Sequence, residues 1–507
     1  MKNIICCCDG TWDRLDQETG DILSPTNVVR IYNALSPVDD HGTQQVKYYH
    51  PGVGTGHSIK QKLLGGGLGE GINRNIKSAY RFLCENYQEG DHIYLYGFSR
   101  GAYTVRCLAG FITKCGLLKT KQLDDSDIWH KIDKAFSLGY RKNQPLANWS
   151  SNGEFTTNIE IFFIGVWDTV GSLGIPDEMG ILKLFDNPQK YYFYNTQLSK
   201  NIKHARQALS IDEKRKTFQP TLWDETQAKQ DHVDLVQKWF PGVHTDVGGG
   251  YPETGLSDCT LIWMIRESEA TNLNFELKMT EQIHPNSLAP RHDSCTGIFK
   301  LLETRPRSIP NFISESSQYS EFALARYSTP PISDAPYHLN HTIYPQGTSM
   351  SIYADQQWNE TGIWLEKGKH YSFQAIGTWK DNNLIYDANG KSDHKFHFQK
   401  IVHCIMSAIG KLKSLLKKLE RNPSAYIPGT KRNEKSPWFS LIGSVACNLK
   451  PANNPHLLGN HETFLIGNRL DDFTPQKSGY FYAYANDAWN FYFNNHGSVR
   501  LEIKIKE

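Results

Sequence analysis

The residue of first chemical interest is Ser99, the middle residue of a G-x-S-x-G motif at positions 97–101. An apolar stretch at 92–96 precedes the motif and predicts a buried strand, and apolar side chains at helical spacing follow it. This setting is typical of a nucleophile elbow, a strained turn that holds the serine hydroxyl clear of the sheet. Ser99 is therefore the candidate nucleophile, and the N–H of Arg100, at the start of the predicted helix, is a candidate oxyanion donor.

An acid and a histidine follow two later predicted strands. Asp168 comes directly after 158–167, the most continuous apolar run of this half, and His244 lies in the loop after the strand predicted at 233–240. The order Ser99, Asp168, His244, each just beyond a strand, is the chain order of α/β-hydrolase triads. The predicted chemistry is ester hydrolysis, in which neutral His244 takes the serine proton and Asp168 holds the imidazolium.

Other side chains compete for these roles or complete them. Asp212 ends a shorter predicted strand and is the alternative acid, while His292, in a downstream loop, is the alternative base. After the first predicted strand, Gly10 and Thr11 are candidates for a second oxyanion donor. A plain turn capped by Asp9 explains the same residues equally well.

The fold must bring these distant residues to one edge of a sheet. Strand, loop and helix alternate over roughly residues 1–340, which predicts an α/β-hydrolase-like, doubly wound parallel sheet. The polar stretch 117–155 is predicted to be an insertion or lid. A Pro- and His-rich linker is predicted at 330–344, and short alternating segments then predict a second, C-terminal antiparallel β-sandwich over 347–507.

Composition limits the functional classes. A chain of 507 residues is too long for one core, and a net charge of +2 gives no general attraction to nucleic acid, so no nucleic-acid partner is predicted. The ten cysteines include no C-x-x-C pair and are predicted to be reduced. The N-terminus has no signal-peptide pattern and no stretch reaches the roughly 18 apolar residues of a membrane span, so we expect synthesis in the cytoplasm without the general secretory route.

Several segments of the first 340 residues are similar to one family. They are residues 9–12 (DGTW), 97–102 (GFSRGA), 166–171 (VWDTVG), 211–215 (IDEKR) and 244–251 (HTDVGGGY). These resemble the uncharacterised α/β-hydrolase family that includes the type VI secretion lipase effectors of bacteria. The resemblance implies a Ser-Asp-His phospholipase that attacks bacterial membrane phospholipid after delivery into a neighbouring cell's periplasm, with a secretion spike protein and an immunity protein as partners. The missing signal peptide by itself would equally suit a housekeeping cytosolic esterase.

An Asn- and Asp-rich loop at 486–498 carries the second set of candidate ligands. Its carboxylate and amide oxygens suit Ca²⁺ better than zinc, and an ordinary Asx-type turn is the alternative. Residues 347–507 resemble the calcium-dependent galactose-binding bacterial lectin of the PA-I type. The resemblance implies a Ca²⁺ ion held by side chains and by one carbonyl, with sugar hydroxyls completing the shell. The implied ligands are the side chains of Asp487, Asn494 and Asn495 and the carbonyl of Phe491.

The C-terminal region also departs from that lectin. Asn382 falls where the lectin has a tyrosine that contacts metal and sugar, and the lectin's sugar-contacting His and Gln have no clear match. A glycan partner is therefore expected without a defined sugar. Residues 400–434 form a helical insertion whose first part has an apolar stripe beside several lysines, which predicts a helix that packs on its own protein or lies on an anionic membrane.

The prediction from the whole sequence is a serine lipase or phospholipase joined to a lectin-like β-sandwich. Two alternatives belong to other classes. One is a carbohydrate-binding, adhesin-type protein with a vestigial hydrolase half, and the other is an interaction component of a secretion apparatus.

Overall fold

A computed structural model describes residues 1–10, 24–52, 67–151, 153–170, 198–301, 303–391, 431–449, 459–489 and 491–506. Two sequence predictions fall partly or wholly outside these residues. Thr11, a candidate oxyanion donor, is one of them, and the other is the helical insertion, of which only 431–434 are described.

The N-terminal part is built on a six-stranded sheet with the order β2-β1-β3-β6-β7-β8, in which all neighbouring strands are parallel. A short antiparallel pair, β4 with β5, lies outside this sheet. The strands are β1 (Asn3–Cys8), β2 (Gln45–His50), β3 (His92–Phe98), β4 (Leu117–Leu118), β5 (Phe155–Thr156), β6 (Ile161–Trp167), β7 (Ile202–Ser210) and β8 (Asp234–Phe240). The parallel sheet predicted from the alternating pattern is therefore present.

Helices cover both faces of this sheet. They are α1 (Asn27–Ala34), α2 (Gly67–Asn86), α3 (Arg100–Cys115), α4 (Asp125–Lys134), α5 (Glu225–Gln230), α6 (His244–Gly248), α7 (Gly255–Glu269), α8 (Leu277–Thr280) and α9 (Glu321–Ser328). Side chains of β1 alternate between the two cores. Ile4 and Cys6 pack with α2 and α3, while Ile5 and Cys7 pack with α1 and α7. A strand buried on both faces is nearly continuously apolar, as β1 is from Ile4 to Cys8.

The strand order creates a topological switch point at the carboxyl end of β1. From β1 the sheet extends to β2 on one side and to β3 on the other, so the carboxyl ends of β1 and β3 lie where ligands bind in open α/β sheets. The register pairs Cys8 with Gly97 and Phe98 with Trp167. Ser99 and Asp168 are therefore the next residues beyond two adjacent strands.

The prediction of an insertion or lid for residues 117–155 is wrong about the packing of this segment. Its apolar side chains, Ile128, Ile132, Phe136 and Tyr140, are buried in the same core as α3. They recur every four residues through α4 and the π-helix Ala135–Arg141, so one apolar face packs inward although the segment is polar on average.

The C-terminal part contains two antiparallel sheets, β10-β17-β14-β15 and β13-β12-β18-β11-β16, and β9 pairs with β18. Apolar side chains from both sheets share one core, including Phe481 of the first and Leu501 of the second. The strands are β9 (Thr348–Tyr353), β10 (Asn359–Leu365), β11 (His370–Ile376), β12 (Thr378–Asp381), β13 (Leu384–Asp387), β14 (Leu441–Leu449), β15 (Asn460–Leu465), β16 (Arg469–Phe473), β17 (Gly479–Ala485) and β18 (Asn495–Lys506).

The segment 330–344, predicted as a linker, is docked between the two parts. Tyr337 is buried in a cluster that joins Trp239 of the first part to Tyr482 of the second. His338 Nδ1 lies 2.9 Å from Glu360 Oε1, and its Nε2 lies 3.3 Å from Asp212 Oδ1. Burial alone lowers the pKa of His338, but these two carboxylates outweigh burial and raise the pKa to about 9. The two parts of the chain are thus joined by an apolar cluster and by a charged one.

The cysteines in the described residues are free. Within the same ranges, no helix has the combination of length and apolar character needed to cross a bilayer.

Candidate active site

Ser99 occupies the strained turn predicted for it, between β3 and α3. Its φ of 56° lies in the left-handed region that non-glycine residues rarely adopt, so the backbone is strained at this residue. The flanking glycines are required by close backbone contacts. A Cβ at Gly97 would lie 2.5 Å from the carbonyl oxygen of Gly101, and a Cβ at Gly101 would lie 2.0 Å from that of Cys8. The tight turn therefore depends on both glycines.

Asp168 stands beside Ser99, at the end of β6. The Ser99 N–H donates to the carbonyl of Trp167 at 3.1 Å, and Asp168 also has a positive φ, of 40°. The Asp168 carboxylate is fully buried, and its Oδ2 lies 2.6 Å from Nδ1 of His244. Burial alone raises the pKa of Asp168, but the charge and hydrogen bonds of Arg307, together with His244, leave this pKa well below its usual range. Asp168 is therefore ionised at neutral pH.

His244 is the first residue of α6, and its ring is enclosed. The imidazole lies between Phe98, with ring centroids 4.6 Å apart, and Phe218, at 5.0 Å. Its backbone N–H donates to Glu213 Oε2 at 3.3 Å. Burial lowers the pKa of His244 below its ordinary value, and the opposing effect of Asp168 does not reverse this. The imidazole is therefore neutral near pH 7, which is the form that a general base requires.

The three predicted triad residues lie at the same edge of the sheet, but not all of them are in contact. Asp168 and His244 are hydrogen-bonded, whereas no hydrogen bond joins Ser99 to His244 among the residues that the structure describes. The residue before Ser99, Phe98, contacts the imidazole ring. In structures of enzymes without substrate, catalytic hydrogen bonds are often long or poorly aligned and tighten only when substrate is bound.

Gly10 lies next to Ser99, but its N–H is already engaged. A Cβ at Gly10 would lie 3.1 Å from the Cβ of Ser99. The Gly10 N–H donates to Asp9 Oδ1 at 2.8 Å, and the hydroxyls of Thr26 and Tyr49 donate to Asp9 Oδ2 at 2.6 and 3.0 Å. The N–H has to leave Asp9 before it can bind an oxyanion, so the role predicted for Gly10 stays a prediction.

Asp212, the alternative acid, belongs to a different hydrogen-bond network. The backbone N–H of Gly242, the guanidinium of Arg291 and the hydroxyl of Tyr337 donate to its carboxylate at 2.7, 2.9 and 2.8 Å. The histidine nearest to it is His338, not His244. The geometry thus favours Asp168 as the partner of His244.

His292, the alternative base, is also committed elsewhere. Its Nδ1 lies 2.6 Å from Asp246 Oδ1, its Nε2 lies 3.3 Å from Glu253, and its ring stacks on Tyr251 at 3.8 Å. Burial alone lowers the pKa of His292, but the two carboxylates outweigh burial and raise it. A histidine that tends to be protonated is less suited to act as a base than the neutral His244.

Two side chains that support this site were not predicted from the sequence. Arg307 donates to both carboxylate oxygens of Asp168, at 2.6 and 2.8 Å. Glu213, which accepts from the backbone of His244, also accepts from Arg215 and Ser294. Arg307 follows Arg305 and Pro306 in an irregular stretch with no periodic pattern, so no local signal points to it. Glu213 directly follows Asp212, the predicted alternative acid. The sequence does not indicate that Glu213, rather than Asp212, contacts the backbone of His244.

In the loop predicted to bind calcium, the side chains of Asp487, Asn494 and Asn495 take part in hydrogen bonds. Asp487 Oδ2 accepts from the Asn495 side chain at 3.0 Å, and the Asn494 side chain donates to Asp381 at 2.6 Å. Asn382 approaches the same loop, because its N–H donates to the carbonyl of Asn494 at 2.9 Å. Burial raises the pKa of Asp487 to about 7.

Two amide oxygens of this loop fit a hard cation. Oδ1 of Asn494 and Oδ1 of Asn495 are buried and have no hydrogen-bond partner among the residues that the structure describes, which is a costly arrangement unless a ligand compensates it. Phe491, the predicted carbonyl ligand, stands three residues before Asn494, and its N–H donates to Ala488. Across the described ranges, no group of three or more His, Cys, Asp and Glu side chains could hold a metal.

The chain is similar in sequence to a known family and to a known protein. A family model described as the catalytic domain of Tle1-like phospholipase effectors of the type VI secretion system matches residues 2–267, just over half of the chain. An uncharacterized protein of Saccharomyces cerevisiae, YEL023C, is 31% identical in an alignment of 236 positions that covers 43% of this chain and 32% of that protein. The match thus spans about a third of the yeast protein's length.

Three solved structures show more distant likeness. An uncharacterized protein from Pseudomonas aeruginosa has 20% identity and a TM-score of 0.31, covering 56% of this chain and 49% of its own. The Tle1 effector bound to the VgrG spike has 13% identity and a TM-score of 0.30, covering 97% and 70%. The N-terminal domain of EclA, a PllA-like lectin, has 14% identity and a TM-score of 0.18, covering 31% and 95%. At such TM-scores, none of the three decides the fold or function of this chain.

Proposed function

Since the chain belongs to the family of type VI secretion phospholipase effectors with a Tle1-like catalytic domain, we propose that it hydrolyses acyl esters of membrane phospholipids with Ser99 as nucleophile. The observation that carries the proposal is the buried hydrogen bond between Asp168 and His244 at the sheet edge where Ser99 sits in its strained turn. An ionised carboxylate behind a neutral imidazole is the arrangement that lets a serine attack an ester.

The proposed reaction has two halves. His244 Nε2 accepts the Ser99 proton as Oγ attacks the acyl carbon, and the imidazolium that forms is held by Asp168. His244 then returns the proton to the leaving alcohol, which departs as the lysophospholipid, and water releases the fatty acid by the same sequence. The enclosure of the ring by Phe98 and Phe218 limits its rotation during these transfers.

The oxyanion of each tetrahedral intermediate needs donors next to Ser99. The Arg100 N–H, at the start of α3, is proposed as the first donor, since the N-terminus of a helix stabilises negative charge. Gly10 and Thr11 are proposed as the source of the second, and for Gly10 this requires its N–H to turn away from Asp9.

Delivery is proposed from family membership. A type VI effector would be carried on a spike protein into the periplasm of a target cell, and the producing cell would need an immunity protein. Co-purification of the full chain with the spike protein of its own secretion system tests the first partner. Full-chain protein that fails to bind that spike would contradict this route.

The test of the hydrolase proposal is release of fatty acid from vesicles of phosphatidylethanolamine and phosphatidylglycerol, followed by mass spectrometry of the products. Ser99→Ala should abolish turnover. Ser268→Ala is the matched control, because Ser268 is a buried serine in α7 whose hydroxyl contacts Tyr96 and lies outside the site. A Ser99→Ala variant as active as wild type would refute the mechanism.

We further propose that the C-terminal part binds Ca²⁺ through the loop around Asp487. The supporting observation is the pair of buried amide oxygens on Asn494 and Asn495, which have no hydrogen-bond partner within the described part of the chain. The side chains of these three residues and the Phe491 carbonyl would hold the ion, with Asn382 adjacent. Bound Ca²⁺ would keep Asp487 ionised and could offer coordination positions to the hydroxyls of a glycan.

Thermal unfolding with Ca²⁺ and with EDTA tests the calcium proposal. Ca²⁺ should raise the unfolding temperature of wild type, since a ligand that binds only the folded state stabilises it. Asp487→Asn should lose this response, and Asp471→Asn, an exposed acid on β16, should keep it. Equal unfolding temperatures for wild type in Ca²⁺ and in EDTA would count against the site.

A further inference from the structure

Arg307 is a buried arginine whose guanidinium contacts the carboxylate of Asp168 and the backbone around it. Its side chain has no exposed surface. Its Nη1 donates to Asp168 Oδ1 at 2.6 Å and to the carbonyl of Ser210 at 2.7 Å, while its Nη2 donates to Asp168 Oδ2 at 2.8 Å and to the carbonyl of Phe218 at 2.6 Å. A planar guanidinium that makes four hydrogen bonds, two of them to one carboxylate, fixes the plane of that carboxylate.

This grip affects His244 in two ways. Asp168 Oδ2 is shared between Arg307 Nη2 and His244 Nδ1, so the position of the guanidinium decides where the imidazole is held. The positive charge of Arg307 also offsets part of the negative charge of Asp168. The carboxylate therefore attracts the imidazolium less strongly than an isolated carboxylate would.

The C-terminal part of the chain holds the segment that carries Arg307. His461 Nε2 donates to the carbonyl of Pro306 at 2.8 Å. Arg305 Nη1 donates to the carbonyl of Gly459 at 2.7 Å. His461 lies in β15 and Gly459 directly precedes that strand, so the beginning of β15 acts as a clamp that holds residues 305 and 306, which directly precede Arg307.

We propose that Arg307 is a positioning residue that holds Asp168 in line with His244, and that the C-terminal part keeps Arg307 in place through the start of β15. The role of Asp168 and His244 in the reaction is taken from the proposed function. Arg307 itself lies beyond residues 2–267, the stretch that the family model matches. The C-terminal part then contributes to the catalytic geometry as well as to any binding of its own.

Removal of the Arg307 charge should move the pH dependence in one direction. The charged groups that face His244 are Asp168, Glu213 and Arg215, with Arg307 acting through Asp168. In Arg307→Gln, either Asp168 stays ionised and holds the imidazolium more tightly, or it becomes protonated and no longer supports the base. Both changes move the acidic limb of kcat/KM to higher pH, by about one unit or more for a charge at this range.

The experiment compares three variants on a soluble p-nitrophenyl ester across pH. Arg307→Gln should shift the acidic limb upward and lower kcat. Arg307→Lys keeps the charge but loses the two-pronged grip, so the limb should return toward wild type while kcat stays low. The matched control is Arg326→Lys, since Arg326 is equally buried and pairs with Asp334, away from the triad. It should leave the limb in place.

A second readout separates this proposal from the proposed function. The titration of the His244 ring, followed by NMR in protein with isotope-labelled histidine, should move by about one pH unit or more in Arg307→Gln even if no ester is turned over, upward where Asp168 stays ionised and downward where Asp168 becomes protonated. A folded Arg307→Gln protein with a wild-type His244 titration overturns the proposal. Activity that is insensitive to Ser99→Ala overturns the proposed function and leaves this titration as the test of Arg307.

The clamp has its own pair of variants. His461→Ala removes the hydrogen bond to Pro306 and should lower kcat about fivefold, the effect of one lost hydrogen bond, with KM unchanged. The control is Tyr480→Phe, which removes a comparable contact between the two parts, from the Phe312 N–H to the Tyr480 hydroxyl at 3.0 Å, and leaves the clamp intact. Equal effects of the two substitutions on kcat would refute the clamp.

Discussion

Replacing Asp168 by asparagine, with Asp212→Asn as the matched control, tests the choice of the triad acid. Both carboxylates are buried, and each accepts from an arginine and from a backbone N–H. Only Asp168 contacts His244. The two variants therefore remove the same kinds of buried contact but differ in what they do to the base.

The expected loss of activity in Asp168→Asn follows from the hydrogen bonds that the two carboxylate oxygens of Asp168 accept. Arg307 Nη1 and the Ser210 N–H donate to Oδ1, while Arg307 Nη2 and His244 Nδ1 donate to Oδ2. Asparagine offers only one oxygen, so its NH₂ group must face two donors. An NH₂ group at the Oδ2 position forces the His244 proton to Nε2, and the ring can no longer accept the proton of Ser99. We expect kcat to fall by about 10³–10⁴, or roughly 4–5.5 kcal/mol.

The expected cost in stability differs between the two variants. Asp168→Asn leaves Arg307 buried with a reduced partner, and breaking a buried ion pair costs about 3–5 kcal/mol. Asp212→Asn should cost less, about 1–3 kcal/mol, because Arg291 also pairs with Asp334 and keeps 29% of its side chain exposed.

The assay measures kcat on vesicles and on a soluble ester for both variants, at a temperature where circular dichroism shows each to be folded. Asp168→Asn should be nearly inactive and Asp212→Asn close to wild type. An Asp212→Asn variant as impaired as Asp168→Asn, or a folded Asp168→Asn variant with wild-type kcat, would refute the assignment.

Three further predictions concern the same site. Gly101→Ala places a Cβ 2.0 Å from the carbonyl oxygen of Cys8, so α3 must shift; we expect a loss of about 1–3 kcal/mol in stability and at least 100-fold in kcat, and unchanged activity would contradict the elbow. His244→Ala should abolish hydrolysis while His292→Ala retains it, and the reverse result would make His292 the base. Burial lowers the pKa of His244 from 6.5, so the neutral base persists to lower pH, and the acidic limb of kcat/KM should lie below pH 6.5; a limb above that value would contradict the burial argument.

The architecture could be predicted because it follows from local patterns. The parallel sheet could be predicted from the alternation of strand, loop and helix, and the antiparallel region from short segments in which apolar and polar residues alternate. The setting of Ser99 was foreseen because a strand, two glycines and a helix are consecutive in the chain. The packing of residues 117–155 was missed because four apolar residues at helical spacing are diluted by charged ones.

The supporting residues of the site could not be predicted, because they come from distant parts of the chain. Arg307 reaches Asp168 across 139 positions, and His461 reaches Pro306 across 155. An arginine in an irregular stretch has no local pattern that distinguishes a surface charge from a buried partner. The segment 330–344 resembled a free linker because its docking depends on Asp212 and Glu360, which lie on the two parts that it joins.

The sequence by itself determined which polar residues follow the strands, namely Ser99, Asp168 and His244 in that order. It also determined the glycines that make the turn at Ser99 possible, because both features depend on neighbours in the chain. Only the tertiary structure decided that Asp168 rather than Asp212 contacts His244, since both acids come shortly after a strand of the same sheet. The same is true of Arg307, which contacts Asp168 only in the folded chain, where the C-terminal part binds the neighbouring Arg305.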